Sequence, residues 1–322
     1  MARFLVRRIL QGILVMLLVT LLVFGIFFLG GNANTVATRL AGRNATPQTI
    51  ALVAQRLHLN QSVPLQYWDF LEQLVWHHNL GYSYFHEQPV GSVLKQAAPI
   101  TLSLALGAAV IWLILGVLSG VLSAVKRGRI IDRAITTLAL FFYSFPTFVL
   151  GLMLLFLVSY QLQKRGIRIF PGQGYVYFSA SPTKWFESLV LPWITLALVS
   201  AATYTRLTRG SLLEVMGEDY IRTARAKGLS ERRVVFRHGL RSALTPVASQ
   251  FGIDVGVLVG GAVVTEQVFG MPGLGYTAVQ SINNGDLPVI IGIVIVASAA
   301  VIVANILVDL VYAVLDPRVR LH

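Results

Sequence analysis

A carboxylate buried in an apolar run is the first residue here that suggests chemistry. Asp254 stands between Gly252 and Gly256 in such a run. A charge at membrane depth is costly, so Asp254 is a functional candidate by default. It is open to three partners: a proton, a substrate amine or a basic side chain. It also has a plainer reading as a packed, hydrogen-bonded group. Asn305, Asp309, Tyr312 and Asp316 follow at steps of four, three and four, which places them on one helical stripe. Glu266 begins the segment Glu266-Gln267-Val268-Phe269-Gly270-Met271-Pro272-Gly273-Leu274-Gly275, whose glycines and proline demand tight backbone geometry. Asp254, Glu266, Pro272 and Gly273 are therefore the candidates for lining a path. His58, His77, His78 and His86 lack metal-ligand spacing, and the chain has no cysteine, so no metal site is expected. There is no phosphate-binding Gly-Lys-Ser/Thr loop and no nucleophile–base pair. The chain is not expected to be catalytic or to hold a cofactor.

The elements around these residues follow from composition. Of 322 residues, 55% are hydrophobic and 12% are charged. Soluble domains carry about 25% charged residues. Too little polar surface remains to cover a water-soluble body, so most of the chain faces lipid or other helices. Six apolar runs, at about 9–29, 100–125, 134–160, 189–207, 245–264 and 287–315, are each long enough to cross a bilayer as a helix. The first is longer than a signal-peptide core and reads as an uncleaved helix. Six spans place both termini on one side. The segments on that side hold 18 of the 26 Lys and Arg, which assigns it to the cytoplasm. The net charge of +12 thus reports topology, and no nucleic-acid partner is expected.

The resulting organisation is an all-α polytopic membrane protein: an N-terminal transmembrane helix over 1–30, an extracytoplasmic lobe over 31–97, and a core over 98–322 with five transmembrane helices. In the lobe, Thr46 can cap a helix that starts at Pro47, and a second amphipathic stretch includes Tyr67, Phe70, Leu71, Leu74 and Val75. The 161–188 loop is expected to pack against the lobe. Gly252, Gly256 and Gly260 lie on one helix face and predict a tight helix crossing, with Asn305 and Asp309 as further packing groups. Gly116 and Gly120 have the same spacing but read as ordinary membrane-helix composition. Within the core, 208–244 forms two short helices meeting at a turn, with Gly228 ending the first and Ser230 capping the second. Its bases suit either anionic lipid or a docking partner.

These residues together carry a resemblance. The N-terminal Met1-Ala2-Arg3-Phe4-Leu5-Val6-Arg7-Arg8-Ile9, the lobe pieces Pro64-Leu65-Gln66-Tyr67 and Leu80-Gly81-Tyr82-Ser83, the run Asp219-Tyr220-Ile221-Arg222-Thr223-Ala224-Arg225-Ala226-Lys227-Gly228-Leu229-Ser230, the Glu266 to Gly275 segment and the tail Asn305, Asp309, Tyr312, Asp316, Pro317, Arg318 occur in order. The chain resembles the permease subunit of bacterial oligopeptide/dipeptide ABC importers. The resemblance implies a type I ABC importer permease fold in the inner membrane. It also implies a second homologous permease subunit, two cytoplasmic ATPases that bind ATP and Mg, and an extracytoplasmic peptide-binding protein. Asp219, Arg222, Ala224, Lys227 and Gly228 then fall in the motif that couples to the ATPase. Two departures stand out: Arg222-Thr223-Ala224 replaces the general Glu-Ala-Ala opening, and His78-Asn79-Leu80-Gly81 lacks the acidic residue usual at that place. The residues alone also permit an ion-gradient-driven transporter or channel using Asp254.

Overall fold

The computed structural model describes residues 2–29, 31–42, 45–167, 170–259 and 262–315. It is an all-α membrane fold with one short hairpin. Lipid offers no water to satisfy exposed amide groups, so helices that bond their own backbone are the expected solution. The N-terminal helix α1 (Ala2–Phe28) is followed by three short helices, α2 (Ala33–Ala41), α3 (Pro47–Arg56) and α4 (Val63–Val75). Strands β1 (Tyr82–Ser83) and β2 (Gln88–Pro89) pair antiparallel, Tyr82 opposite Pro89. Then come α5 (Val90–Val125), α6 (Ile130–Tyr143) and α7 (Thr147–Leu154), which continues through a π-helical turn, Leu155–Tyr160, into α8 (Gln161–Lys164). The rest comprises α9 (Pro182–Val215), α10 (Asp219–Ala226), α11 (Glu231–Arg233) with a second π-turn at Val234–Gly239, α12 (Leu240–Val259), α13 (Val263–Phe269), α14 (Leu274–Asn284) and α15 (Leu287–Leu315).

Five of these stretches are long and apolar enough to cross a membrane, Val6–Phe28, Val90–Val125, Thr147–Lys164, Pro182–Val215 and Leu287–Val308. A sixth is completed only when Glu231–Leu258 and Val263–Phe269 are taken as one bent pair. The expected run at 134–160 is two helices, not one. Pro146 sits at the N-cap of α7 with φ −60° and ψ 136°. It has no N–H to donate, and its ring disfavours a helical Phe145. The lobe has a helix beyond the two expected, α2, capped by Asn32, whose side chain accepts from the Thr35 amide. Thr46 caps α3 in the expected way, accepting from the Thr49 amide ahead of Pro47.

The chain divides into two compact units, Met1–Leu102 with Val259–Val263 and Pro272–Val303, and Ser103–Leu258 with Val264–Met271 and Ala304–His322. In the first, Val23, Val36, Leu40, Val53 and Leu59 pack with Ile291 and Ile295. A neighbouring cluster joins Val90, Val93, Leu94 and Ala97 to Leu274, Val289 and Ile293. Ser83 donates to Asp286 at 2.5 Å, tying the hairpin to the start of α15 inside this core.

In the second unit, α5 and α9 meet at glycines that read as ordinary composition in the sequence. A methyl group on Gly116 would strike Tyr204 and the Ala201 carbonyl. One on Gly120 would lie 2.6 Å from Thr208 Cβ and 2.8 Å from the Thr205 carbonyl. The crossing is sealed by Ser119 and Thr205, whose hydroxyls lie 2.7 Å apart. Backbones this close leave no room for a side chain, which is the small-residue packing of membrane helices. Gly116→Leu or Gly120→Val should therefore cost about 1–3 kcal/mol of overpacking or more, read as a lower melting temperature of the detergent-solubilised chain. Gly210, in α9 with open space around it, should tolerate alanine with equal or slightly higher stability.

Candidate functional site

The 208–244 segment builds a small rigid element from a few apolar residues. Ile221 and Ala224 on α10 are buried against Val234, with Val215, Met216 and Leu229 around them. The helix then ends in a hydrogen-bonded cap. The Gly228 amide donates to the Arg225 carbonyl (2.9 Å) and the Leu229 amide to the Ala224 carbonyl (3.4 Å). Gly228 holds φ +77°, the left-handed turn this cap requires. Leu229 packs back on the Ala224 cluster and completes the motif. Across the turn, Arg225 donates twice to Glu231, at 2.7 and 3.1 Å. Ser230 takes the N-cap position of α11 without a side-chain bond to it.

The expected coupling residues divide by face. Asp219, Arg222, Lys227 and Gly228 are exposed, and Arg222 bonds Asp219 at 3.2 Å. No atom lies within 4 Å of where a Gly228 side chain would begin. Ala224 turns the other way and is buried, so its part is to hold the helix in place.

A partly buried ion pair that sequence reasoning missed lies in the same unit. Asp132 lies in the first turn of α6, where a carboxylate also suits the helix dipole. Arg209 of α9 reaches it with Nε at 2.8 Å and a terminal nitrogen at 3.0 Å. Ser123 of α5 donates to one oxygen, and the Gly128 amide to the other at 2.9 Å. Gly128 makes that possible by turning through φ +77°. One carboxylate therefore ties together α5, α6 and α9. The hydrogen bonds from Arg209, then Ser123 and Gly128, hold the Asp132 carboxyl well below the usual carboxylate range. The one available signal was a lone acid among Lys126, Arg127, Arg129 and Arg133, which counting bases for topology passed over.

Asp254 belongs to a separate polar group within this unit. Tyr204 donates to one oxygen at 2.9 Å and Gln250 to the other at 2.9 Å. Trp112 packs nearby, tilted 6.1 Å from the Tyr204 ring and edge-on 6.2 Å from Phe251. Asp254 is half-buried, and both oxygens accept from neutral donors. Because Gly116 lets the Tyr204 backbone come close, the α5–α9 crossing also aims the Tyr204 hydroxyl.

The other predicted residues are distributed differently. Gly252 faces Val308 so closely that a side chain would strike it, and Gly256 is buried. Gly260 and the Asp309 side chain lie outside the described residues, as do Asp316, Pro317 and Arg318. The Asn305 side chain is exposed. Glu266 is fully buried and sits on helix α13. Gly270 ends that helix with φ +60°. The 161–188 loop docks there: the Gly174 amide donates to the Phe269 carbonyl (2.9 Å) and Gln173 to the Val268 carbonyl (3.0 Å). Pro272 is exposed, while Gly273 is buried at the N-cap of α14, whose Leu274 amide donates to Thr101 at 2.8 Å. In the lobe, His58 pairs with Asp69 at 3.0 Å. No cluster of metal-ligating side chains occurs among the described residues.

Known proteins place this geometry. The family described as binding-protein-dependent transport system inner membrane component matches residues 113–321, and the N-terminal domain of such components matches residues 1–105. A putative peptide transport system permease protein of Brucella abortus is 39% identical, covering 99% of both chains. A probable peptide ABC transporter permease protein of Sinorhizobium fredii is 36% identical, covering 99% of this chain and all of that one. The glutathione transport system permease protein GsiC of Escherichia coli K12 is 36% identical over 99% of each chain. Among solved structures, an inward-facing MetNI methionine ABC transporter shares the fold with TM-score 0.53 and 20% identity, covering 70% of this chain and 96% of that one.

The Asp132 network makes a pH prediction. Its carboxyl titrates lower when folded than when unfolded. Its stabilisation is then full above the ordinary carboxylate range and is lost as pH falls through and below that range. Asp132→Asn should lower the melting temperature at pH 7 and flatten the acid-side fall between pH 5 and 3 (about the window in which an unfolded carboxyl titrates), as measured by thermal unfolding across pH.

Proposed function

Because this chain belongs to the binding-protein-dependent transport system inner membrane component family, we propose that it is one of two permease subunits of an ATP-driven peptide importer. It forms half of the translocation path in the inner membrane, with both termini in the cytoplasm. Two cytoplasmic ATPases bind ATP and Mg, and an extracytoplasmic binding protein delivers substrate. Peptide as the substrate class rests on the relatives, two named for peptide transport and one for glutathione, itself a short peptide.

One observation carries the coupling part of this reading. The α10–Gly228 element has a pinned inner face and an exposed outer edge of Asp219, Arg222, Lys227 and Gly228. A docked partner that moves this edge moves a packed body, because Ile221 and Ala224 leave little room for independent sliding. The displacement then enters the end of α9, where Arg209 passes it to α5 and α6 through Asp132. Asp254, Glu266, Pro272 and Gly273 are the proposed path residues, and Gly252 and Gly256 the close-packing positions.

Two experiments test this. In proteoliposomes holding the whole assembly, vanadate should stop peptide uptake and an ionophore should not. Uptake by this chain alone, driven by an ion gradient, would overturn the reading. Gly228→Trp adds bulk to the exposed edge and strains the left-handed turn without meeting any neighbour, so it should leave the protein in the membrane yet abolish uptake and uncouple ATP hydrolysis from the binding protein. Normal uptake by that variant would remove α10 from the coupling role.

A further inference from the structure

Helix α4 belongs to the stretch expected to form a small extracytoplasmic lobe packed on the helix bundle. Its inner face packs on α1, the first membrane-crossing helix. Tyr67 lies with its ring centroid 5.2 Å from that of Phe24, and Phe70 packs 6.1 Å from Phe24 and 5.9 Å from Phe28. The Tyr67 hydroxyl reaches further, to 3.1 Å from the Thr20 hydroxyl and 3.5 Å from the Leu17 carbonyl. Thr20 is eight residues before Phe28, where the apolar span ends. At 1.5 Å per residue that is about 12 Å inside the span. The Tyr67 side chain of α4 thus meets α1 within the outer half of its apolar span.

The opposite face of α4 is uncovered and mostly apolar, with the exposed Glu72 set within it. Leu65, Trp68 and Val75 follow at steps of three and seven, so they share one side of the helix, and Trp76 continues it. Trp68 is 62% exposed and Trp76 74%. The polar residues Gln66, Asp69 and Gln73 lie on the other flank and line a cavity of about 700 Å³. One face thus meets α1, one flank lines this cavity and one side is uncovered, the pattern of a helix lying in a membrane interface. Helix α1 likewise exposes apolar side chains, among them Leu18, Leu21, Leu22 and Ile26. Tryptophans favour the level of the lipid headgroups, and Glu72, exposed beside Trp68 and Trp76, is tolerated there and not at the hydrocarbon centre.

We propose that α4 lies in the leaflet surrounding the C-terminal half of α1. Leu65, Trp68 and Val75 face acyl chains, and Trp76 sits at the headgroup boundary. The N-terminal lobe is thereby seated in lipid by its own helix as well as joined to α1 through the chain. This holds whatever the complex transports.

The absence of native cysteine in this chain makes a direct test practical. Single variants Trp68→Cys and Val75→Cys, with Leu22→Cys as the lipid reference and Gln55→Cys as the water reference, are spin-labelled in the full assembly in nanodiscs. Signal from the unsubstituted assembly is subtracted. The ratio of oxygen to nickel-chelate collisions at 68 and 75 should be several times that at 55 and close to that at 22. A water-like ratio overturns the proposal. So does low access to both probes, the mark of a protein partner on this face. If Trp68→Cys does not assemble, the unsubstituted complex in brominated phospholipid supplies the second readout. Its tryptophan emission should be quenched, and Trp68→Phe should remove part of the quenched fraction; quenching unchanged by that substitution counts against lipid contact.

Discussion

The second unit depends on the absence of two side chains. Gly116 and Gly120 let α5 and α9 approach until a single methyl group would collide with backbone. Lipid tails are as apolar as leucine, so there is little hydrophobic reward for bringing membrane helices together. Close packing and hydrogen bonding must supply the attraction, and both need short distances. The same approach brings Ser119 to Thr205 and aims Tyr204 at Asp254.

That crossing also makes the Asp132–Arg209 pair possible. A buried ion pair is weak evidence for stability by itself, because desolvation offsets much of the attraction. Its value here is geometric. Two guanidinium bonds, a hydroxyl and a backbone amide leave the carboxylate one arrangement, so the ends of three helices keep a fixed relation. Seven residues beyond Arg209, α9 gives way to the turn that carries α10. In the proposed coupling role, α10 needs a fixed root, and this network and the Ile221–Ala224–Val234 contact are what hold it.

The polar positions show what a linear reading captures. Caps and turns were legible because they are local: Thr46 with Pro47, and Gly228 ending α10, need only neighbours within a few residues. Asp254 was legible as a candidate because a carboxylate in an apolar run is conspicuous, but Tyr204 is fifty residues away and gave no sign of being its partner. Asp132 was overlooked for the same reason, since Arg209 lies 77 residues on. The glycines at 252, 256 and 260 read as a tight crossing and those at 116 and 120 as ordinary composition, yet only their surroundings show that Gly116 and Gly120 make the tighter approach to backbone. Pro99, Pro192 and Pro246 lie inside helices, whereas Pro146 breaks one. Nothing in the spacing separates these cases, because a neighbouring helix decides whether a missing hydrogen bond is tolerated.

The sequence by itself determined the membrane character, the number of apolar runs to within one bent pair and the place of the α10 turn. These follow from composition and local backbone preference, which act over one helix length or less. Tertiary structure decided which glycines become contacts, which carboxylates are paired and where α4 lies. Those outcomes depend on distances between residues far apart in the chain, and in a dense helical bundle a shift of one methyl group is enough to change them.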